Sequence, residues 1–286
     1  MTSSLTEETM PELRTNTPPE FEPTRLAAEQ GDSHAQFNLG LLYDQGHGVN
    51  QDHSQAVCWY TKAAEQGDIE AQFNLGIMYE IGQGVIQNYE QAEHWYATAA
   101  KQGHCVAQFN LGVVYDKGLG VLQDYSQAFY WYTKAAAQKY PSAQYNLGKM
   151  YDKGKGVSQD HEQALDWYIK AADQGNANAQ LAVGVRYYHG RGVTQDYTKA
   201  IHWFTKAAAK GKSKAQHNLG IMYASGQGVP RNLVQAFGWL NLAAINGDDK
   251  SAGARDIIAE ELSSQDLAKA KALTVELQEI IDSKPH

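Results

Sequence analysis

The dipeptide Leu-Gly recurs at Leu39-Gly40, Leu75-Gly76, Leu111-Gly112, Leu147-Gly148 and Leu219-Gly220, and Val183-Gly184 fills the one vacant place. Every step is 36 residues, with no insertion or deletion across six copies. A fixed period of roughly 20–50 residues marks a solenoid, because a single repeat cannot bury its apolar face and must share it with its neighbours. The 286 residues therefore read as one elongated array rather than two ordinary globular domains. Such chains present surfaces more readily than they enclose catalytic pockets.

The first copy, residues 32–67, shows the plan of each unit. Asp32 caps a helix whose apolar residues Ala35, Leu39, Leu42 and Tyr43 have helical spacing. Gly46 supplies the left-handed residue that ends it, and a Gly-His-Gly-Val loop follows. Asp52 opens a second helix, with Gln55 placed to complete a capping box. That helix carries Ala56, Trp59, Tyr60, Ala63 and Ala64, and Gly67 ends it. The tryptophans 59, 95, 131, 167, 203 and 239 share one phase and are expected to fill the space between helices. At the C-terminus Ser263 and Asp266 open a last helix with Leu267, Ala270, Leu273, Leu277 and Ile280 on one side. The expected organisation is a disordered acidic, proline-rich leader over 1–24, a six-repeat array with an N-terminal partial helix over 25–250, and capping helices over 251–286.

The recurring string Ala-Gln-Phe-Asn-Leu-Gly-x-x-Tyr, then Gly-x-Gly-Val-x-Gln-Asp, then Ala-x-x-Trp-Tyr-x-x-Ala-Ala resembles the SEL-one-like repeat family, relatives of the tetratricopeptide repeat with a longer inter-helix loop. The resemblance covers about residues 25–282. It departs at Lys139, which stands for a glycine, and in the fifth repeat. It implies an all-α, right-handed solenoid superhelix whose concave face is lined by the first helices, and work as an adaptor or binding module in bacteria.

On that expectation the exposed phases form rows. Phe37, Phe73, Phe109 and Tyr145 make an aromatic row, and Leu41, Ile77, Val113 and Lys149 follow one turn later. Asn38, Asn74, Asn110, Asn146 and Asn218 form an amide ladder, and Asp44, Glu80, Asp116 and Asp152 an acidic margin. An apolar floor, amides and acids together suit a peptide or protein partner, with the acids favouring a basic one. In the fifth repeat Ala182 replaces asparagine, Arg186 takes an apolar position, and Tyr188 replaces the acid, with His189 and Arg191 following. Arg186 either snorkels to a carboxylate or reads an acidic ligand.

The net charge of −8 disfavours nucleic acid and anionic membranes, which need a basic face. No stretch is long and apolar enough to span a bilayer. Cys58 and Cys105 fall in repeats that are not adjacent, so no bridge between them is expected, and two thiols suit a reducing, cytoplasmic setting. No catalytic motif, cofactor fingerprint or metal-ligand spacing occurs. The reading is a non-enzymatic protein-binding scaffold without cofactor or metal. The rival is a cytoplasmic immunity protein that occludes the active site of a toxin enzyme.

Overall fold

A computed structural model of the chain describes residues 21–283, and all regular structure among them is helical. Helix α1 (Phe21–Glu29) precedes six antiparallel pairs: α2 (Ser33–Gln45) with α3 (His53–Glu65), α4 (Ile69–Ile81) with α5 (Tyr89–Lys101), α6 (Cys105–Lys117) with α7 (Tyr125–Ala137), α8 (Pro141–Lys153) with α9 (His161–Asp173), α10 (Ala177–His189) with α11 (Tyr197–Ala208), and α12 (Ser213–Ser225) with α13 (Leu233–Ile245). Then α14 (Asp249–Glu261) and α15 (Ser264–Asp282) close the chain. The fold is an all-α solenoid. The described residues up to Ala107, with Leu119–Leu122, form one compact unit; Gln108–Gly118 and the residues from Gln123 onward form a second.

Each pair is set by a glycine and a ring. A β-carbon on Gly112 would stand 2.6 Å from the Tyr132 ring, so the bare backbone of α6 is the seat for that side chain. Gly40, Gly76 and Gly148 receive Tyr60, Tyr96 and Tyr168 in the same way, Gly184 receives Phe204, and Gly220 receives Leu240. These partners are buried, as are the alanines that flank them. The tryptophans differ from expectation. Trp59, Trp95, Trp131 and Trp167 are only half-buried, and only Trp203 and Trp239 are nearly covered. Their rings lie at the seam between repeats: Trp203 packs on the cluster of Ala164, Leu165, Tyr168 and Ala171 in the repeat before it. Lys62, Lys170 and Lys206 lie over Trp59, Trp167 and Trp203 at 3.8, 3.9 and 4.5 Å, which places those ring faces at the wet edge.

Glutamine joins neighbouring repeats. Gln72 is buried and donates to the carbonyl of Ala64 in the previous repeat, while Gln102, at the end of its own repeat, donates to its side-chain oxygen at 2.7 Å. The same chain of bonds runs from Gln66 to Gln36 to Ala28. Lys210 interrupts it in the fifth repeat by turning to the carbonyl of Gly175, and the Gln180 Oε1 is left buried without a partner. At the second helices Asp52, Asn88, Asp124 and Asp160 accept from the first-turn amides as expected. The reciprocal half of the capping box is not made. The Asp52 amide instead donates to the carbonyl of Tyr43, and Asn88, Asp124, Asp160, Asp196 and Asn232 repeat this with Tyr79, Tyr115, Tyr151, Tyr187 and Tyr223.

The ends also depart in detail. Helix α1 already includes Phe21, ahead of the expected Arg25, and Pro23 lies within it. Phe21 is buried and packs edge-on to Tyr43. Residues 1–20, most of the expected leader, lie outside the described residues. In α15 the buried side chains are Ala270, Thr274 and Ile281, while Ile280 is 51% exposed. Lys139, in glycine's place between α7 and α8, adopts φ +65°.

Replacing Gly112 by alanine should destabilise the chain by about 1–3 kcal/mol through overpacking, more than the helix-propensity gain of about 1 kcal/mol. In a Tyr132→Ala background the same change should be neutral or stabilising. Urea unfolding midpoints of the four proteins measure both effects.

Candidate functional site

All sixteen expected row residues on α2, α4, α6 and α8 are half-buried: none is in the core and none stands clear in solvent. The aromatic row leans on the seated tyrosines. Phe37 lies 5.8 Å from Tyr60, Phe109 5.8 Å from Tyr132, and Tyr145 5.7 Å from Tyr168. Phe73 stacks on Tyr96 at 6.0 Å and also on His104 at 4.5 Å. These rings are thus partly committed to packing, with one edge left over.

The acidic row is largely spent inside the chain. Asp44 meets His53 Nδ1 at 2.9 Å, and Glu80 accepts from the Tyr96 hydroxyl. Asp152 is paired with Arg186, whose side chain is 5% exposed, and His161 Nδ1 stands 3.0 Å from the same oxygen. Arg186 also lies over the Tyr168 ring at 5.7 Å. Of the two roles the sequence left open for Arg186, the geometry provides a carboxylate inside the chain. Tyr188 stacks on Tyr197 and donates to Gln227, whereas His189 and Arg191 are exposed.

One methylene separates two kinds of tyrosine. Glu80 is long enough to reach Tyr96; Asp44 and Asp116 are shorter, and the hydroxyls of Tyr60 and Tyr132 are buried without a hydrogen bond. Burial pushes both phenols well above the ordinary tyrosine value, and the nearby Asp44 and Asp116 charges push the same way. Asn74 and Asn146 approach these hydroxyls and oppose the shift. The ladder residues Asn38 and Asn218 have no such phenol to face, since Phe204 occupies that place before Asn218. Neither makes a side-chain hydrogen bond among the described residues.

Sequence reasoning missed a cluster in the sixth repeat. His217 Nδ1 lies 2.8 Å from Ser251 Oγ and 3.3 Å from Asp248, and Ser251 Oγ bonds to Asp248. The residue types suggest a nucleophile with its base, but both partners share one ring nitrogen and Ser251 is fully buried. A helix-phase pattern carries no sign of this contact, because Ser251 is 34 residues from His217 and not in its register. Among the described residues no group of three His, Cys, Asp or Glu side chains could hold a metal ion. No helix among them is long and apolar enough to cross a membrane, and neither cysteine forms a disulfide.

The model of the Sel1 repeat matches residues 33–68, 69–104, 105–140, 141–176, 177–212 and 213–248. No protein of curated function matches the chain. Among solved structures, a Sel1 repeat protein from Oxalobacter formigenes is 37% identical over 75% of this chain and 88% of its own, with a TM-score of 0.70. A protein described as c5321, a protective antigen present in uropathogenic Escherichia coli strains, is 32% identical over 93% of this chain and 67% of its own, with a TM-score of 0.62. The immunity protein Pa5087 from Pseudomonas aeruginosa is 20% identical over 80% of this chain and 83% of its own, with a TM-score of 0.44, a likeness too slight to carry an argument.

Two substitution pairs test this geometry. Glu80→Asp should cost about 0.5–1.5 kcal/mol by removing the bond that Tyr96 donates to it, and Asp116→Glu should gain a similar amount by reaching Tyr132. Arg186→Met should cost about 1–3 kcal/mol because Asp152 loses its charged partner, and adding Asp152→Asn should recover most of that. Equilibrium unfolding in a double-mutant cycle reads the coupling; additive losses would remove the pair from the account.

Proposed function

The chain belongs to the Sel1 repeat family, whose repeats serve as protein-interaction scaffolds, and on that footing we propose that it binds a peptide or protein segment along its first helices. The observation that carries this reading is the state of Asn38 and Asn218. Both are half-buried amides at repeating positions, and neither makes a side-chain hydrogen bond among the described residues. A half-buried donor and acceptor without a partner is the group that a bound backbone can satisfy. The edges of Phe37, Phe73, Phe109 and Tyr145 would supply the adjoining apolar contact.

The role assigned to the acidic row is narrower than the sequence suggested. Asp44, Glu80 and Asp152 already have partners in the chain, so an intact row of carboxylates is not on offer to a basic ligand. Charge is instead distributed by repeat. Apart from the paired Asp44 and Arg186, the first repeat carries Asp52, Glu65 and Asp68 with only Lys62 of opposite sign, whereas the fifth carries Arg191, Lys199, Lys206, Lys210 and Lys212 with only Asp196. A partner of mixed polarity, acidic where it meets the fifth repeat, fits that distribution. Binding without catalysis, in the cytoplasm, is the working reading.

Affinity capture with the whole chain identifies the partner, and the variant Asn38→Ala/Asn218→Ala tests the mode. Melting should be unchanged, because no bond is lost, while affinity falls about three- to tenfold for each amide that binds. Undiminished affinity in the double variant would exclude the amide ladder. Capture of a single enzyme whose activity is blocked would turn the reading toward an inhibitor.

A further inference from the structure

A cavity of about 380 Å³ opens where α10, α12 and the start of α14 meet. Leu181 and Val185 form its apolar side, and Lys214, His217, Asn218, Asp248 and Lys250 its polar one. The volume is in the range of small-molecule sites, roughly 300–1,000 Å³. Its origin is legible in the repeat. Leu181 stands where Phe37, Phe73, Phe109 and Tyr145 carry rings, so the space is not filled. In the third repeat the next cap residue closes the corresponding space, Phe109 stacking on Tyr140 at 5.1 Å.

The polar side is built for negative charge. Lys214 and Lys250 are exposed and make no ion pair or hydrogen bond among the described residues. Both stand at the second position of a helix, where the macrodipole repels a cation, and the matching positions hold His34, Glu70, Val106, Ser142 and Asn178. Neither helix has a side-chain cap: Lys212 has no acceptor to give α12, and Asp248 turns away from the amides of α14 toward His217 and Ser251. Two lysines without an ion pair among the described residues thus line one cavity, each in the first turn of a helix that lacks a side-chain cap. The Nδ1 of His217 is held by Ser251 and Asp248, which leaves Nε2 as the ring's remaining polar atom. The one carboxylate present, Asp248, is already engaged.

We propose that this cavity binds an organic carboxylate bearing a compact apolar group, the form in which a peptide chain ends. The carboxylate lies between Lys214, Lys250 and the amides of α12 and α14, and the apolar group lies on Leu181 and Val185. That the natural ligand is a peptide end rests on the reading above; the chemistry of the cavity does not.

The test uses the whole isotope-labelled chain and three probes followed by NMR: N-acetyl-leucine, N-acetyl-leucinamide and inorganic phosphate. N-acetyl-leucine should shift the amides of Lys214 and Lys250 and the His217 ring together with the Val185 methyls. The neutral amide should bind at least about tenfold more weakly, as should the acid to the variant Lys214→Gln/Lys250→Gln, whose melting should equal or exceed the parent's. Equal shifts from acid and amide, undiminished binding to the double variant, or phosphate binding as tightly as the acid would each overturn the proposal. Binding of N-acetyl-leucine here with an intact partner affinity in the asparagine variant would uphold the cavity and reject the amide ladder. Partner affinity lowered in the asparagine variant, without any shift from N-acetyl-leucine, would do the reverse.

Discussion

The arrangement of every helix pair depends on a side chain pressed onto a helix position that has no β-carbon. The ring of Tyr60, Tyr96, Tyr132 or Tyr168 occupies the space that any other residue at Gly40, Gly76, Gly112 or Gly148 would fill. This one contact fixes how closely the two helices approach and how far one is rotated against the other. It also explains why the glycine is tolerated in mid-helix at a cost of about 1 kcal/mol in propensity. Where the ring becomes Phe204 or Leu240 the seat persists, so shape is the requirement and the hydroxyl is not. The hydroxyl is free to take other roles, and its fate then follows the length of one acid: satisfied by Glu80, orphaned beside Asp44 and Asp116.

Between repeats the specifying contact is polar. A buried glutamine that ties a carbonyl of the previous repeat to a glutamine of its own can be satisfied only in one register, whereas alanine faces could slide. Apolar burial stabilises the stack, and the glutamines select its alignment. The fifth repeat shows what this costs when broken. Lys210 cannot accept the role, and Gln180 keeps an unpaired oxygen in the interior.

The period, the helix boundaries and the caps were legible in the sequence because each rests on local chemistry within a few residues. Asp52 and Gly46 act where their types demand. What the sequence left undecided or misplaced lay in adjacent phases and in distance. Trp59 and Tyr60 are neighbours, and an apolar periodicity cannot say which faces inward; the larger ring took the wet seam and the tyrosine the seat. The capping box failed because the Asp52 amide is claimed by the carbonyl of Tyr43, a bond across the loop that no cap motif encodes. The acidic row was visible as a row, but its partners His53, Tyr96 and Arg186 come from a second helix or the next repeat. Ser251 met His217 from outside the register altogether.

These departures share a logic that follows from nearest-neighbour energetics. In a stack of repeats, stability is close to a sum of unit and interface terms, so an irregular unit weakens its own two interfaces and leaves distant ones untouched. Function can therefore be written into one repeat without compromising the others. The fifth repeat has this character: Arg186 replaces an apolar residue, Ala182 an amide, Leu181 a ring, and Lys210 a glutamine. Arg186 is compensated by Asp152 of the repeat before it. The space beside Leu181 and the lysines of α12 and α14 have no compensation among the described residues. A cost that the folded chain does not offset itself is where a ligand has the most to contribute, since the free energy of satisfying those groups is still available to binding.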